Sequence, residues 1–471
     1  MKNAQIVGPS ATRRPAPGKT TASADLPAPA AERRAARQIA ITIVADIKRR
    51  RLAALKRTLE TIGADPANNA IVPFAALPRT HFARLVALDA TEGPAGEVFE
   101  PQLVYLADVD EPPDAESALG RCLEELVDVA GAGLDRVFGA CVGYPAPSRA
   151  TPAGRLAFLR EHSVDPAAAY VNTVGRSVRQ IRQEDQLRVA ICGFLDERRA
   201  ALCELGAVEL RCAIQDFVAA RAELAWALSA PPSPGLTDRV RDVAGLIALP
   251  AGLLALSPVL LPALVPFALA LRREEASDPA PHVVPSRDHV LRLAEQEDHG
   301  PQNQFNAVAS DGVGFVKPGI VRRVTAEVVL RGIDYAARHI YDHANLGGVK
   351  TIHTARWVFL DDGRRRMIFA SNYDGSLEAY NDDFVDKVWW GLNAVFSNGT
   401  GFPATRWLFF GGARQEQPFK DYLRGRQVPS QVWYSSYPGL TTLNIENNAR
   451  IRAGLRGDMS GEEVEQWLRR I

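Results

Sequence analysis

Cysteine is scarce in this sequence, and the chain carries no net charge. The 471 residues include five cysteines, an odd number without a CxxC pair. This usage argues against a disulfide framework and against a zinc cluster, and it indicates reduced thiols in a cytoplasmic setting. Lysine plus arginine and aspartate plus glutamate each total 55. Because nucleic-acid-binding proteins normally show a basic excess, we expect no nucleic-acid partner.

Common catalytic motifs are missing as well. The sequence has no GxGxxG after a strand, no P-loop and no GxSxG, so it does not indicate a dinucleotide fold, an NTPase or an α/β-hydrolase. Residues 1–37 are rich in alanine, proline and arginine and lack the apolar core of a signal peptide. We predict a disordered tail there.

What the chain does contain is a repeat. The string HTARWVFLD at His353 matches HFARLVALD at His81 at six of nine positions. At a constant offset of 264 residues, positions 158–188 match 422–452 with seven identities and no gap. Random pairing would give about two identities, at a match rate of roughly 6%. We infer an internal duplication.

Each half shows the alternation and helical spacing of a β-α-β-β-α-β unit, which is the ferredoxin-like pattern. The predicted strands of the first half are AITIVADIK, HFARLVALD, QLVYLADVD and RVFGACVGY. Those of the second half are GVGFVKPG, IHTARWVFLD, RRMIFASNYD and TRWLFFGG, with SQVWYSSY as a later strand. We therefore predict an α+β fold of two tandem ferredoxin-like units packed as a pseudo-dimeric barrel. The first unit covers residues 38–198, a helical insertion covers 199–300, and the second unit with its C-terminal helices covers 301–471.

The insertion contains one long apolar run. From Val243 to Leu271 there is no charged residue, and the run exceeds the ~20 residues that span a bilayer. It contains four prolines that are expected to break a helix: Pro250, Pro258, Pro262 and Pro266. A single span would also separate the two similar halves across the membrane. We predict a re-entrant or in-plane hairpin that contacts lipid from the cytoplasmic side. The alternative is an apolar helical pair buried in the protein or in a homo-oligomer.

Polar residues on two predicted strands are candidates for chemistry. His353 and Arg356 lie on one strand, and their side chains point to opposite faces unless a bulge intervenes. A buried arginine needs a carboxylate or carbonyls, and Asp374 on the next strand is its natural partner, with Asn372 two residues earlier. Because the first half repeats the His, Arg and Asp, a fold-defining polar network is the alternative interpretation.

The second half is also rich in aromatic residues. Five of the seven tryptophans lie there, which suits a cavity for a small lipophilic ligand or plain core packing. Tyr434 is a candidate proton donor, although its match to Tyr170 also fits a shared packing role. His339 and His343 are spaced i, i+4 on a predicted helix, but no third ligand is evident, so no metal site is predicted.

The duplicated pattern resembles the dimeric α+β barrel superfamily. That superfamily includes dye-decolorizing peroxidases and chlorite dismutases, which bind haem in the second barrel half. The resemblance implies a haem here, with cofactor-binding residues among His353, His343, His339 and Asn372. Asp374 in SNYDGS and either Arg356 or Arg406 would stand for the Asp–Arg pair of the peroxidases. The chain is also similar to a group of bacterial proteins of no assigned activity that share HFAR, NYDGS and NIENNxRIRxGL-like strings.

Three functions follow from these expectations. The first is a membrane-associated, haem-dependent and peroxidase-like oxidoreductase that acts on a lipophilic substrate, with Asp374, Arg356 and Tyr434 as catalytic residues. The alternative is a non-catalytic module that binds an apolar ligand or a partner at the membrane surface. A cofactor-free oxygenase that uses His and Asp alone is a third hypothesis.

Overall fold

The computed structural model describes residues 35–471, except residues 113–116, 231, 232, 234, 279–283, 296–299, 311, 341–345 and 362. The tail predicted over residues 1–37 therefore lies almost wholly outside the described residues. The described chain is a mixed α+β protein. Its strands are β1 (Gln38–Asp46), β2 (Thr80–Leu88), β3 (Thr91–Glu92), β4 (Val98–Phe99), β5 (Gln102–Asp110), β6 (Ala168–Val171), β7 (Gln302–Val308), β8 (Ile352–Phe359), β9 (Met367–Asp374), β10 (Thr405–Arg406), β11 (Phe410–Gly411) and β12 (Val432–Ser435).

Some of the helices cover faces of the sheets, and others pack on one another in a separate apolar core. The helices are α1 (Leu52–Ala64), α2 (Ala118–Ala130), α3 (Gly133–Phe138), α4 (Pro152–Glu161), α5 (Val178–Glu197), α6 (Arg199–Leu202), α7 (Ala207–Ala219), α8 (Leu236–Ser277), α9 (Arg287–Glu295), α10 (Ile320–His339), α11 (Leu377–Phe396), α12 (Glu416–Arg424), α13 (Thr442–Gly454) and α14 (Gly461–Leu468).

Two four-stranded antiparallel sheets form the centre of the protein. The first has the order β1-β5-β2-β12, and the second has the order β7-β9-β8-β6. Three strands of each sheet come from one half of the chain, and the fourth comes from the other half. Strand β12 pairs with β2, and β6 pairs with β8. The two short strands are therefore exchanged between the halves.

The sheets pack against each other through apolar side chains that alternate along the strands. Val86 and Leu106 of the first sheet belong to one buried cluster with Val358 and Ile368 of the second. The opposite face of the first sheet packs against α1, α2 and α3 in a separate core. Each fully buried valine, leucine or isoleucine stabilises the fold by about 1.5–3 kcal/mol relative to exposure. Both faces of β2 are buried along its whole length, so its polar residues need partners inside the protein.

Three strand predictions are wrong. RVFGACVGY forms helix α3 and a turn instead of the fourth strand, because its glycines end the helix and Gly143 adopts a positive φ of 78°. GVGFVKPG forms only isolated β-bridges, at Val313 and Val316, and the first strand of the second half is β7, which begins at Gln302. TRWLFFGG forms the short β10–β11 hairpin at the surface. The place of the fourth strand is taken by β6 and β12.

Helix α8 is the largest departure from expectation. The four prolines were expected to break the apolar run into a hairpin, but they lie inside one continuous helix of 42 residues. A proline removes the N–H that would bond the carbonyl four residues earlier. Two of the freed carbonyls find other donors. Leu246 O accepts from the Tyr335 phenol at 2.7 Å, and Leu254 O accepts from Ser257 Oγ at 2.7 Å.

Both ends of the apolar run contact the second half of the chain. Beside the Leu246 contact to Tyr335 of α10, Glu274 lies 3.5 Å from Arg322 near the other end of α10. The Glu275 carboxylate accepts from the backbone N–H of Trp407 and of Leu408, each at 2.7 Å. Between these contacts the helix is exposed, and no residue from 243 to 270 is buried. The helix is long and apolar enough to cross a membrane.

Candidate functional site

The duplicated histidines and aspartates form two equivalent hydrogen-bonded pairs. His353 Nε2 lies 2.7 Å from Asp374 Oδ1, and the other carboxylate oxygen accepts from the Thr442 backbone N–H at 2.8 Å. In the first half, His81 Nε2 lies 2.8 Å from Asp110 Oδ1, and that carboxylate accepts from the backbone N–H at the start of α5. A carboxylate at a helix N-terminus offsets unpaired N–H groups and the helix dipole. The His353–Asp374 pair therefore links β8 and β9 to α13, the helix that follows β12. The His81–Asp110 pair links β2 and β5 to α5, the helix that follows β6.

A bulge places each histidine. The strand register shifts between Thr80 and Phe82 and between Ile352 and Thr354, which are the positions on either side of the two histidines. This is the irregularity that strand alternation requires if His353 and Arg356 are to face the same side of a sheet.

The duplicated arginines cross between the sheets. Arg356 donates to the carbonyls of Ile41 at 2.8 Å and Ala107 at 3.0 Å, and it forms an ion pair with Asp108. The predicted partnership of Arg356 with Asp374 is therefore wrong. Asp374 binds the histidine and the helix N-terminus, and the arginine reaches a carboxylate on the opposite sheet.

Arg84 makes the equivalent crossing but finds no carboxylate at its end. It donates to the carbonyls of Phe305 at 3.2 Å and Ser371 at 3.0 Å, to Asn306 Oδ1 at 2.7 Å, and to the side-chain oxygen of Asn372. At the offset of 264 residues, Asn372 corresponds to Asp108. Burial lowers the pKa of Arg84 to about 9, and Arg356 adds to that effect by repulsion.

The two histidines differ in the same way. His81 Nδ1 lies 2.8 Å from the Tyr437 hydroxyl, whereas His353 Nδ1 has no hydrogen-bond partner among the described residues. The residue that corresponds to Tyr437 beside His353 is Thr173. His353 is 2% exposed, and its ring centroid lies 5.3 Å from that of Phe82. The duplicated contacts are therefore unequal: His353 lacks the hydroxyl partner of His81, and Arg84 lacks the carboxylate partner of Arg356.

The remaining predicted residues do not gather around this pair. Tyr434 stacks on Phe74 at 5.6 Å on the helix-covered face of the first sheet, which fits a packing role. The side-chain oxygen of Asn372 accepts from Arg84, and it also accepts from Trp433 Nε1 at 2.9 Å. In SNYDGS, the final serine, Ser376, caps α11 by accepting from Ala379 N at 3.2 Å. None of these residues lines the cavity described below.

His353 and His339 do not fit a haem axial ligand, which must present a free nitrogen toward space for the macrocycle. His353 uses Nε2 for Asp374, and although its Nδ1 is unpaired among the described residues, the ring is buried against Phe82 and Tyr437. His339, at the end of α10, lies so close to α8 that a Cβ added at Gly245 would sit 2.6 Å from its Cε1 atom. His343 lies outside the described residues. In the ranges that the structure covers, no group of three or more His, Cys, Asp or Glu is placed to hold a metal.

Sequence reasoning missed a cavity of about 830 Å³. It lies beyond the end of β2 and is bordered by α9, α12 and the segment before β12. Arg366 lines it, with Leu88, Val313, Val428 and Tyr422 among the wall residues. These residues come from distant parts of the chain and from both halves, so no local spacing could have indicated the cavity.

The chain matches no protein-family model, and no significant match to it exists among curated proteins or solved structures.

Proposed function

We propose that this protein is a non-catalytic module that sits at the cytoplasmic surface of a membrane and binds an apolar ligand or partner there. The observation that carries the proposal is the exposure of the apolar run of α8. Soluble proteins rarely expose contiguous apolar patches above a few hundred Å². Leu254 is 76% exposed and Leu261 is 61% exposed. No residue from 243 to 270 is buried.

Neighbouring surface elements extend this apolar face. The β10–β11 hairpin, whose backbone donates to the Glu275 carboxylate, carries three exposed aromatic residues. They are Trp407, Phe409 and Phe410, which are 40–55% exposed. Trp407 and Leu408 adopt positive φ values of 52° and 65°, which cost energy in residues with side chains and recur at functional sites. Exposed aromatic rings beside an apolar helix are typical of the membrane–water interface.

The contacts of α8 favour an in-plane helix over a span. Leu246 and Glu274 both contact α10, and α10 carries Arg331 and Asp334 between those contacts. If α8 crossed the bilayer, α10 would be drawn into hydrocarbon with these charges, at a cost of about 2.5–3.5 kcal/mol for each. Helix α8 lying along the surface keeps the charges of α10 in water.

We also infer that the two halves are tandem ferredoxin-like units packed as a pseudo-dimeric barrel. The equal strand orders, the exchanged fourth strands and the repeated His–Asp and arginine contacts support this inference. The fourth strand of each unit differs from the simple ferredoxin-like pattern, since it completes the sheet of the other unit.

Flotation with neutral phosphatidylcholine vesicles tests the membrane proposal. The intact protein is expected to float, and Leu254→Lys/Leu261→Lys is expected to stay at the bottom, because each lysine adds about 2.5–3.5 kcal/mol to insertion. Val142→Lys/Val189→Lys is the matched control, since these valines are 52% and 54% exposed far from α8 along the chain. Intact protein that stays at the bottom, or a control that loses flotation equally, would refute the proposal.

Cysteine labelling separates the two orientations. Asp242→Cys and Ser277→Cys, each in a background with Cys203 and Cys212 replaced by serine, are added to sealed vesicles and treated with a membrane-impermeant maleimide. An in-plane helix leaves both cysteines accessible from outside, whereas a span protects one of them.

The peroxidase-like oxidoreductase requires a bound haem, and the histidine environments do not support one. Its test is the absorption spectrum of protein produced with a haem precursor. A Soret band that His353→Ala abolishes would favour the oxidoreductase over the binding module.

A further inference from the structure

We propose that the cavity beside Arg366 binds a small amphiphilic anion, whose carboxylate or phosphate group is held by the Arg366 guanidinium and whose apolar body occupies the rest of the space. This deepens the proposed function by naming the ligand class, and it rests on that proposal only for the lipophilic nature of the ligand.

The Arg366 side chain is buried with its hydrogen-bonding capacity unfilled. The residue is 2% exposed, and its Nε donates to the Ala309 carbonyl at 3.3 Å. Its Nη1 has no partner among the described residues, although the residue lines the cavity. Buried polar groups are almost always paired, and an unpaired charged donor is costly.

No carboxylate of the described chain neutralises this guanidinium by direct contact. Asp361 instead accepts from the Arg366 backbone N–H at 2.7 Å, and Asp89 forms an ion pair with Lys56 at 2.7 Å. Burial lowers the pKa of Arg366 to about 10, and the two aspartates offset only part of that effect. A ligand that brings a negative charge to the part of the Arg366 guanidinium that lines the cavity would restore the charge balance.

One part of the cavity wall is apolar and suits the body of an amphiphilic anion, while the rest carries polar side chains such as Lys56, Asp89 and His289. Leu88, Val313, Val428 and Pro418 line the cavity together with Tyr422. A volume of about 830 Å³ falls within the range of ~300–1,000 Å³ typical of small-molecule sites. A free phosphate ion would fill a small part of this space and leave the apolar walls exposed to water.

The cavity shares no wall with the membrane-facing helix: none of the α8 residues whose side chains are described lines it. Ligand binding and vesicle flotation can therefore fail independently. If the wild-type protein floats with vesicles but does not bind octanoate, the ligand proposal alone is wrong. If it binds octanoate but does not float, the membrane proposal alone is wrong.

Isothermal titration calorimetry of the full chain in neutral phosphatidylcholine nanodiscs, with empty nanodiscs as blank, tests the ligand. The probes are octanoate, octan-1-ol and inorganic phosphate. We expect one saturable octanoate site, with weaker binding of the alcohol and of phosphate alone. Arg366→Gln is expected to weaken octanoate by about tenfold or more, because a hydrogen bond to a charged group contributes roughly that factor. Arg365→Gln removes the same charge at a residue whose side chain is 47% exposed, and it should leave binding unchanged.

A second variant guards against misfolding of the first. Ser310 lines the cavity and is half-buried, so Ser310→Trp should fill the space and abolish octanoate binding with Arg366 intact. Octanoate that fails to bind the wild type, or that binds Arg366→Gln and Ser310→Trp as tightly as the wild type, overturns the proposal. If phosphate binds as tightly as octanoate, the claim that the ligand has an apolar body is wrong.

Discussion

Removing the two crossing arginines should have unequal effects, although they occupy equivalent places. Arg356→Met leaves the Asp108 carboxylate buried without its ion-pair partner, and breaking a buried pair in this way costs about 3–5 kcal/mol. Arg84→Met leaves only neutral acceptors, the carbonyls of Phe305 and Ser371 among them. Unsatisfied neutral groups cost about 1–3 kcal/mol, and the loss of a buried charge offsets part of that cost.

We therefore expect Arg356→Met to lower the free energy of unfolding by about 2 kcal/mol more than Arg84→Met. The assay is urea unfolding followed by far-UV circular dichroism at neutral pH, with all variants in one detergent buffer. The double variant Arg356→Met/Asp108→Asn removes both charges and should recover a substantial part of the lost stability. Equal losses for the two single variants, together with no recovery in the double variant, would show that the Asp108 charge does not distinguish the crossings.

Three further predictions concern the polar pairs and the buried thiols. Asp374→Asn removes the charged acceptor of His353 and of a helix N-terminus and should lower the free energy of unfolding by about 2 kcal/mol in the same urea assay; no measurable loss would contradict the capping role. Tyr437→Phe leaves His81 Nδ1 without its partner and should cost about 1 kcal/mol, whereas a loss near zero would indicate that the bond is not formed. Burial raises the pKa of the Cys122 thiol to about 11 from its usual 9.0. The contribution of this thiol to stability is therefore full below pH 9 and is lost as the pH rises toward 11. At pH 8 iodoacetamide should modify exposed Cys203 and spare Cys122 until urea unfolds the chain, as mass spectrometry of the digested protein would show.

The α+β character and most of the elements could be predicted from the sequence because their signals are local. The alternation around His353 and the helical spacing before His339 mark β8 and α10 directly. The repeat of HFAR and HTAR also marked the His, Arg and Asp residues that form a buried polar network in both halves. The pairing within that network could not be predicted, because each arginine reaches a strand of the other sheet, 248 residues away in the case of Arg356 and Asp108.

The errors have non-local causes. Helix α8 stays continuous through its prolines because Tyr335 and Ser257 satisfy two of the freed carbonyls, and no pattern of prolines reveals such donors. The fourth strands were misplaced because β6 and β12 are only four residues long and gain their hydrogen bonds from a distant partner. The cavity beside Arg366 depends on both halves and on α9, so it becomes visible only after the chain has folded.

The exchange of the two short strands sets an order of events during synthesis. The outer edge of β2 is completed by Val432–Ser435, which is synthesised 344 residues after β2 ends at Leu88 (432 − 88). Until then the nascent first half keeps an open β edge, and such edges invite pairing with other chains. Translation of this protein should therefore depend on a chaperone that shields β2 until the last strand arrives, and truncation upstream of that strand should yield aggregates instead of a folded first half.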